Sequence, residues 1–504
     1  MATAIIGNPA PSVESRSSAA AQMDPGRRCE LAVEAMARAQ PLSALARENN
    51  VSRKFVYSQI HRAQQALDSA FLPEEQADED KVLFRIPVTM RWLRQLVLCL
   101  ILHCHAPYRG VVDLLRDVAD YKISVGTVHN IVTIAVNTAD LVNAQEDLSR
   151  IRVGAHDEIF QGDPVLVGAD PFSTYCYLLA QEPSRDATTW GVHLLELSER
   201  GLSLEYTVAD AGKGLRAGQA EAWPTVPCRG DVFHAERDIT QMTTYLDNRA
   251  YGCIGVREQL ERKMERAKKK GNGQSVSKKL ANARQAEATA LQLADDLRLL
   301  AQWMREDVLS LIGPDAQTRQ ELFDFIVEEL KVREHLAPHR IRPVRVALEK
   351  QRDGLLAFAQ DLDRQLTAIA HKHGLAPEIV REVFELDRLG RFDPLHWQKD
   401  TALWKRLGTL YRSIRHEVEQ VLENTVRASS MVENLNSPLR SYFFLRRQVG
   451  PGYLSLLRFF LNHRRFPRSR KRDRARKSPA EILQGGVLPH WLEQLGFTRF
   501  RRAA

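Results

Sequence analysis

Three acidic residues, Asp157, Asp210 and Glu433, have the chemistry and the surroundings of a metal site. Asp157 lies in mid-run of the extended segment Arg152–Phe160, Asp210 closes the apolar run Leu204–Ala209 ahead of Ala211-Gly212, and Glu433 falls in the helix-like segment Ser429–Arg440. Carboxylate oxygens are the hard ligands that Mg²⁺ and Mn²⁺ take. Two such ions held by converging acids can clamp a phosphodiester during in-line attack. A carboxylate in mid-strand beside Ile159 and Phe160 is costly unless it is paired or used. Its neighbours are weaker choices: Asp163 and Asp170 fall where turn chemistry asks for Asp, and Glu158 faces away from Asp157. Asp231 and His234 are expected on a fifth strand, as the main alternative to Asp210 or as groups just behind the metals.

The elements that must bring these residues together are legible as changes of period. Residues 1–24, rich in Ala, Ser and Pro, read as a disordered tail. Residues 25–72 read as a helix-turn-helix domain, with Asn49-Asn50 in the turn and Ser52 capping the second helix. Its outward residues would be Ser52, Arg53, Lys54, Ser58 and Gln59, facing DNA. An acidic linker, 73–87, leads to a second helix-turn-helix-like block, 88–148, whose exposed face would carry Gly126, Thr127, His129 and Asn130. From 149 to 240 the period turns extended, in the order β-β-β-α-β-α-β. Residues 241–425 are helical, with breaks at Gly313-Pro314, Ala337-Pro338, Gly374 and Gly390. Residues 426–466 supply one or two further helices, and 467–504 a basic arm with a short helix opened by Ser478-Pro479.

The net charge of +8 is matched by a single stretch, Arg464–Lys477, with nine basic residues and one acidic. Arg464, Arg465, Arg468, Arg470, Lys471 and Arg472 are expected to meet phosphates there. The six cysteines form no CxxC pair and read as buried thiols in a reducing compartment; Cys99 and His103-Cys104-His105 read as core rather than zinc ligands. The start of the chain shows no basic leader with a long apolar core, and the run Leu96–Leu102 is too short to span a bilayer. A soluble cytoplasmic protein, associated with the nucleoid, is expected.

The ordered set His156-Asp157-Glu158, the Val-Gly-Ala-Asp170 end of strand two, Asp210-Ala-Gly-Lys213, Gly230-Asp-Val-Phe-His234, Ser430–Arg440, Phe460–Arg465 and Ser478–Ile482 resembles the RNase H-like catalytic domain of DDE transposases and retroviral-type integrases, above all those of bacterial insertion sequences. The resemblance covers about half of the chain. It implies an α/β RNase H-like core on a mixed five-stranded sheet, with N-terminal all-α helix-turn-helix domains and a large all-α insertion. It implies that Asp157, Asp210 and Glu433 hold two Mg²⁺ or Mn²⁺ ions, that Asn436 and Arg440 meet DNA, and that the chain assembles as at least a dimer on element ends and target DNA. The 223 positions between Asp210 and Glu433 exceed the spacing of the family's compact members, and Ser429 and Ser430 stand where some branches carry Arg and Tyr. The activity implied is metal-dependent end cleavage and strand transfer. The alternatives are a non-catalytic DNA-binding regulator derived from such an enzyme, a metal-dependent nuclease, and a structural protein built on the helical block.

Overall fold

A computed structural model describes residues 19–71, 82, 85–210, 212–270, 274–445, 450–469 and 472–499. It divides into two compact units, Met1–Pro87 and Val88–Ala504.

In the first unit, helices Pro25–Met36, Leu42–Glu48 and Arg53–Ala70 enclose Leu31, Ala35, Leu45, Ala46 and Val56. Asn50 takes the turn at φ 50°, and the Ser52 hydroxyl accepts from Phe55 N at 3.1 Å, as the sequence predicts.

The second unit is built on a five-stranded mixed sheet. The strands are β1 (Val153–Gln161), β2 (Asp163–Ala169), β3 (Cys176–Gln181), β4 (Tyr206–Ala209) and β5 (Cys228–Gly230), arranged β3-β2-β1-β4-β5. β1, β2 and β3 pair antiparallel, while β1–β4 and β4–β5 are parallel. β5 ends before Asp231 and His234, which were expected on it: the backbone turns at Asp231, and Val232 begins a helix.

Alternation along β1 assigns its residues to two faces. Ala155 and Ile159 join Val165, Val167 and Ala169 under a layer made by helices Met90–Leu102, Tyr108–Ala119, Val125–Gln145, Ser430–Phe444 and Pro451–His463. His156 and Glu158 face the other layer, helices Ala187–Glu199 and Lys213–Ala222, where Trp190 is fully buried. The 88–148 helices therefore share a core with the sheet, and Gly126, Thr127, His129 and Asn130 are exposed on the outside.

Between Val232 and Asn424 the described residues are mostly helical, around a core of their own that runs from Val232 to Val421. The block leaves and re-enters at one place. Val232 N donates to Arg427 O at 3.1 Å, and Ser429 N donates to Asp231 at 3.1 Å. With its ends tied together, so long an insertion asks little of the sheet.

Among the described residues no helix is long and apolar enough to cross a membrane. The cysteines are free, but only Cys176 is buried: Cys99, Cys228 and Cys253 are half-buried, Cys29 is exposed on a helix, and Cys104 is exposed just past the end of helix Met90–Leu102. His103, expected in the core, is exposed and rests edge-on against Phe460 and Trp491.

Candidate metal centre

The parallel register brings the first two acids together. His156 of β1 lies beside Ala209 of β4, so Asp157, in the middle of β1, falls level with Asp210, the first residue past the end of β4. Asp157 is buried, and its Oδ1 accepts from Glu158 N at 2.8 Å. Asp210 is half-buried, and its Oδ1 accepts from Gly212 N at 2.8 Å. A Cβ on Gly212 would lie 2.8 Å from that same oxygen, so glycine is what lets the chain turn under the carboxylate. Arg216 braces the strand ends, its Nε donating to Asp210 O at 2.9 Å and its Nη2 to Ala209 O at 3.3 Å.

The third group at this point is an imidazole. One ligand atom each from Asp157, Asp210 and His234 lies within 4.8 Å of the others, the one such group of three among the described residues. Ligands of one Mg²⁺ stand about 3.0 Å apart when adjacent and about 4.2 Å when opposite, so the three side chains would draw closer together to share one ion. His234 was expected on strand five, either in place of Asp210 or behind the metals. It stands with the ligands because Asp231 ends the strand and caps the helix Val232–Lys269, accepting from Phe233 N at 2.9 Å, which puts His234 in the first helical turn.

Asp231 does lie behind. Fully buried, it takes His234 Nδ1 at 2.5 Å and also the Ser429 hydroxyl. Such a carboxylate fixes the imidazole tautomer and leaves Nε2 for a metal. Burial opposes charge on His234, but the bond to Asp231 and the fields of Asp231 and Asp157 outweigh it and raise its pKa above the ordinary 6.5. Burial likewise opposes charge on Asp231, yet the bonds from His234 and Ser429 hold its pKa below the ordinary carboxylate value.

The helix Ser430–Phe444 contributes Asn436, whose Nδ2 donates to Asp157 Oδ2 at 2.6 Å. Asn436 was expected to face DNA. It is instead fully buried against Asp157, and its Oδ1 has no partner among the described residues. Glu433 lies three positions earlier in the same helix; its side chain is outside the described residues. Arg440, one turn beyond Asn436, is exposed.

The other acids are used elsewhere. Glu158 receives Arg185 at 2.6 Å and Trp190 Nε1 at 3.0 Å on the far face of the sheet. Asp170 shapes the β2–β3 turn with Ser173, and Asp163 is exposed at the β1–β2 turn.

Of the expected DNA contacts, Ser52, Arg53, Lys54 and Ser58 are exposed. Gln59 is 6% exposed, because it falls one turn after Val56 on the side of the helix that meets the small core. In the basic segment, Arg464 stacks on Phe460, and Arg465 is held by Glu481 at 2.5 Å. Arg468 is exposed; Arg470 and Lys471, and the side chain of Arg472, lie outside the described residues.

No protein-family model matches the chain, and no curated protein matches it.

Proposed function

We propose that the chain is a DNA transposase that cuts the ends of a mobile element and joins them to target DNA. The observation that carries this reading is the convergence of Asp157, Asp210 and His234 within 4.8 Å, where the middle of β1 meets the carboxyl end of the parallel strand β4. The strand order β3-β2-β1-β4-β5, with the first three antiparallel and the last two parallel, supports an RNase H-like core. The bond from Asn436 to Asp157 supports Glu433, three residues earlier on that helix, as the third acid.

Asp157, Asp210, His234 and Glu433 would hold two Mg²⁺ or Mn²⁺ ions, the imidazole favouring Mn²⁺. When bound, the ions supply activation of water or a 3′-hydroxyl and stabilisation of the leaving oxygen. The chain's own part is positional. Asp231 keeps a proton on His234 Nδ1, Asn436 fixes one oxygen of Asp157, and Arg216 holds the strand ends that carry Asp210. The exposed Arg53 and Lys54 of the first unit, and Arg440 and Arg468 of the second, are the cations for DNA phosphate. At least two copies would pair the two ends.

The test uses duplexes from the DNA flanking the chain's own coding segment. The wild-type protein should cut them only with Mg²⁺ or Mn²⁺ and then join the freed 3′ ends. Asp157→Ala and Glu433→Ala should bind the same duplexes and cut nothing. Normal cutting by either variant removes that residue from the site. Binding without metal-dependent cutting by the wild type would make the chain a regulator, and cutting without joining would make it a nuclease.

A further inference from the structure

The helical block carries a projecting arm. Helices Val232–Lys269 and Gln274–Trp303 run antiparallel, in a register marked by three ion pairs: Asp247 with Arg298 at 2.6 Å, Arg257 with Glu287 at 2.8 Å, and Glu261 with Arg284 at 2.9 Å. The block's core takes side chains from the first helix only as far as Cys253, and from the second only from Ala290 onward. Beyond those points Leu280 is the one fully buried side chain among the described residues. The last part of the first helix, from Ile254 to Lys269, thus extends roughly 25 Å past the core at 1.5 Å per residue.

The pairing of charges stops before the tip. Between residues 262 and 279 the sequence carries eight basic residues and one acidic. Arg262 has Glu258 at 3.7 Å. Lys263, Arg266, Lys268, Lys269, Lys270, Lys278 and Lys279 are exposed, and among the described residues none has an acid within ion-pair distance. Cations in the last turn of the first helix are favoured by its dipole. That argument gives no reason for Lys278 and Lys279, which lie near the positive end of the second helix. Like charges on two packed helices repel, so the arrangement costs stability unless a polyanion relieves it.

We propose that the tip of this arm grips the phosphate backbone of duplex DNA, away from the metal centre. Taking the polyanion to be DNA rests on the transposase reading. A narrow two-helix tip with cations on both helices fits phosphates on either side of a groove, and it gives affinity without base readout.

The test compares three full-length proteins: wild type; an arm variant with Lys268→Gln, Lys269→Gln, Lys278→Gln and Lys279→Gln; and a charge-matched control with Lys331→Gln, Lys350→Gln, Lys399→Gln and Lys405→Gln. Binding to a random-sequence duplex is followed by fluorescence anisotropy across a KCl series. The arm variant should lose about tenfold in affinity at low salt. The slope of log K against log[KCl] should shallow by about 2 to 4, at about 0.9 per lost phosphate contact. The control should keep the wild-type slope. Equal slopes for all three, or an equal loss in arm variant and control, overturn the arm and leave the transposase reading standing. No duplex binding by the wild type overturns both. A tip-dependent preference for phosphatidylserine vesicles over duplex also overturns it, by assigning the cations to a membrane surface.

Discussion

At the scale of single residues the centre turns on who holds the proton. His234 can ligate an ion only as neutral imidazole, yet Asp231 and Asp157 raise its pKa in the metal-free protein. Metal binding must therefore expel that proton. Mn²⁺ affinity, read by electron paramagnetic resonance, should fall about tenfold for each pH unit below the raised pKa, and calorimetry near pH 6 should record proton release that differs between buffers. The stability contribution of the pair has its own sign. The raised pKa of His234 gives a contribution complete below pH 6.5 and lost as pH rises through the folded value. The lowered pKa of Asp231 gives one present above pH 3.8 and lost as pH falls through the folded value. Asp231→Asn should weaken Mn²⁺ binding by about 10 to 100-fold, and an unchanged Mn²⁺ titration would separate Asp231 from the metal. Asp157 was conspicuous as a charged residue within an apolar strand, and Asp210 as the residue that follows one. His234 was misplaced by one element, because Val232 and Phe233 beside Asp231 suit a strand as well as they suit a helix. The signal that would have corrected it is the i, i+3 spacing of Asp231 and His234, a cap followed by a residue on the same helical face. Asn436 and Gln59 were read as exposed because polar residues usually are; only the packing partner of each helix face decides otherwise.

At the scale of elements, the layer behind the metal centre depends on a close helix pair. A Cβ on Gly218 would come within 2.4 Å of Ala187 O and 2.9 Å of Gly191 N, so helices Ala187–Glu199 and Lys213–Ala222 meet backbone to backbone there. Gly218→Ala should cost about 1–3 kcal/mol, measured by urea denaturation. Gly252, inside the long helix Val232–Lys269, has nothing within 4 Å of its missing Cβ. Gly252→Ala should stabilise by about 0.5–1 kcal/mol. A finding that Gly218→Ala is harmless would mean that the two helices can slide apart without loss. Most of this layer was legible. The extended runs Arg152–Phe160 and Leu204–Ala209 match β1 and β4 to within two residues, and the helix breaks at Ala337-Pro338 and Gly374 fall where Pro338 opens one helix and Gly374, at φ 65°, ends it. What the sequence did not reveal is how the insertion is held. The bonds between Asp231–Val232 and Arg427–Ser429 join residues far apart in the chain, and no periodicity encodes them.

At the scale of the molecule, acid should dismantle the second unit unevenly. Burial pushes the His156 pKa down to about 3, and burial lowers His463 and His490 to about 4. The unfolded chain takes up these protons near pH 6.5, while the folded chain does not. Stability therefore falls as pH drops below that value. His156 alone should remove about 3 kcal/mol by pH 4, at 1.36 kcal/mol per pH unit. All three lie in the sheet and the helices against it: His156 on β1 beside Tyr177 and Trp190, His463 at the end of helix Pro451–His463, His490 capping the last helix. The helical block between Val232 and Asn424 has a core separate from those on the two sheet faces. Trp190 and Trp223, which pack on His156, should therefore lose their near-ultraviolet signal at a higher pH than the one at which far-ultraviolet helicity is lost. His156→Gln should flatten the pH dependence of the first step and leave the second in place. Coincident transitions in the wild type would show instead that the tied ends at Asp231 and Ser429 make sheet and insertion one cooperative body.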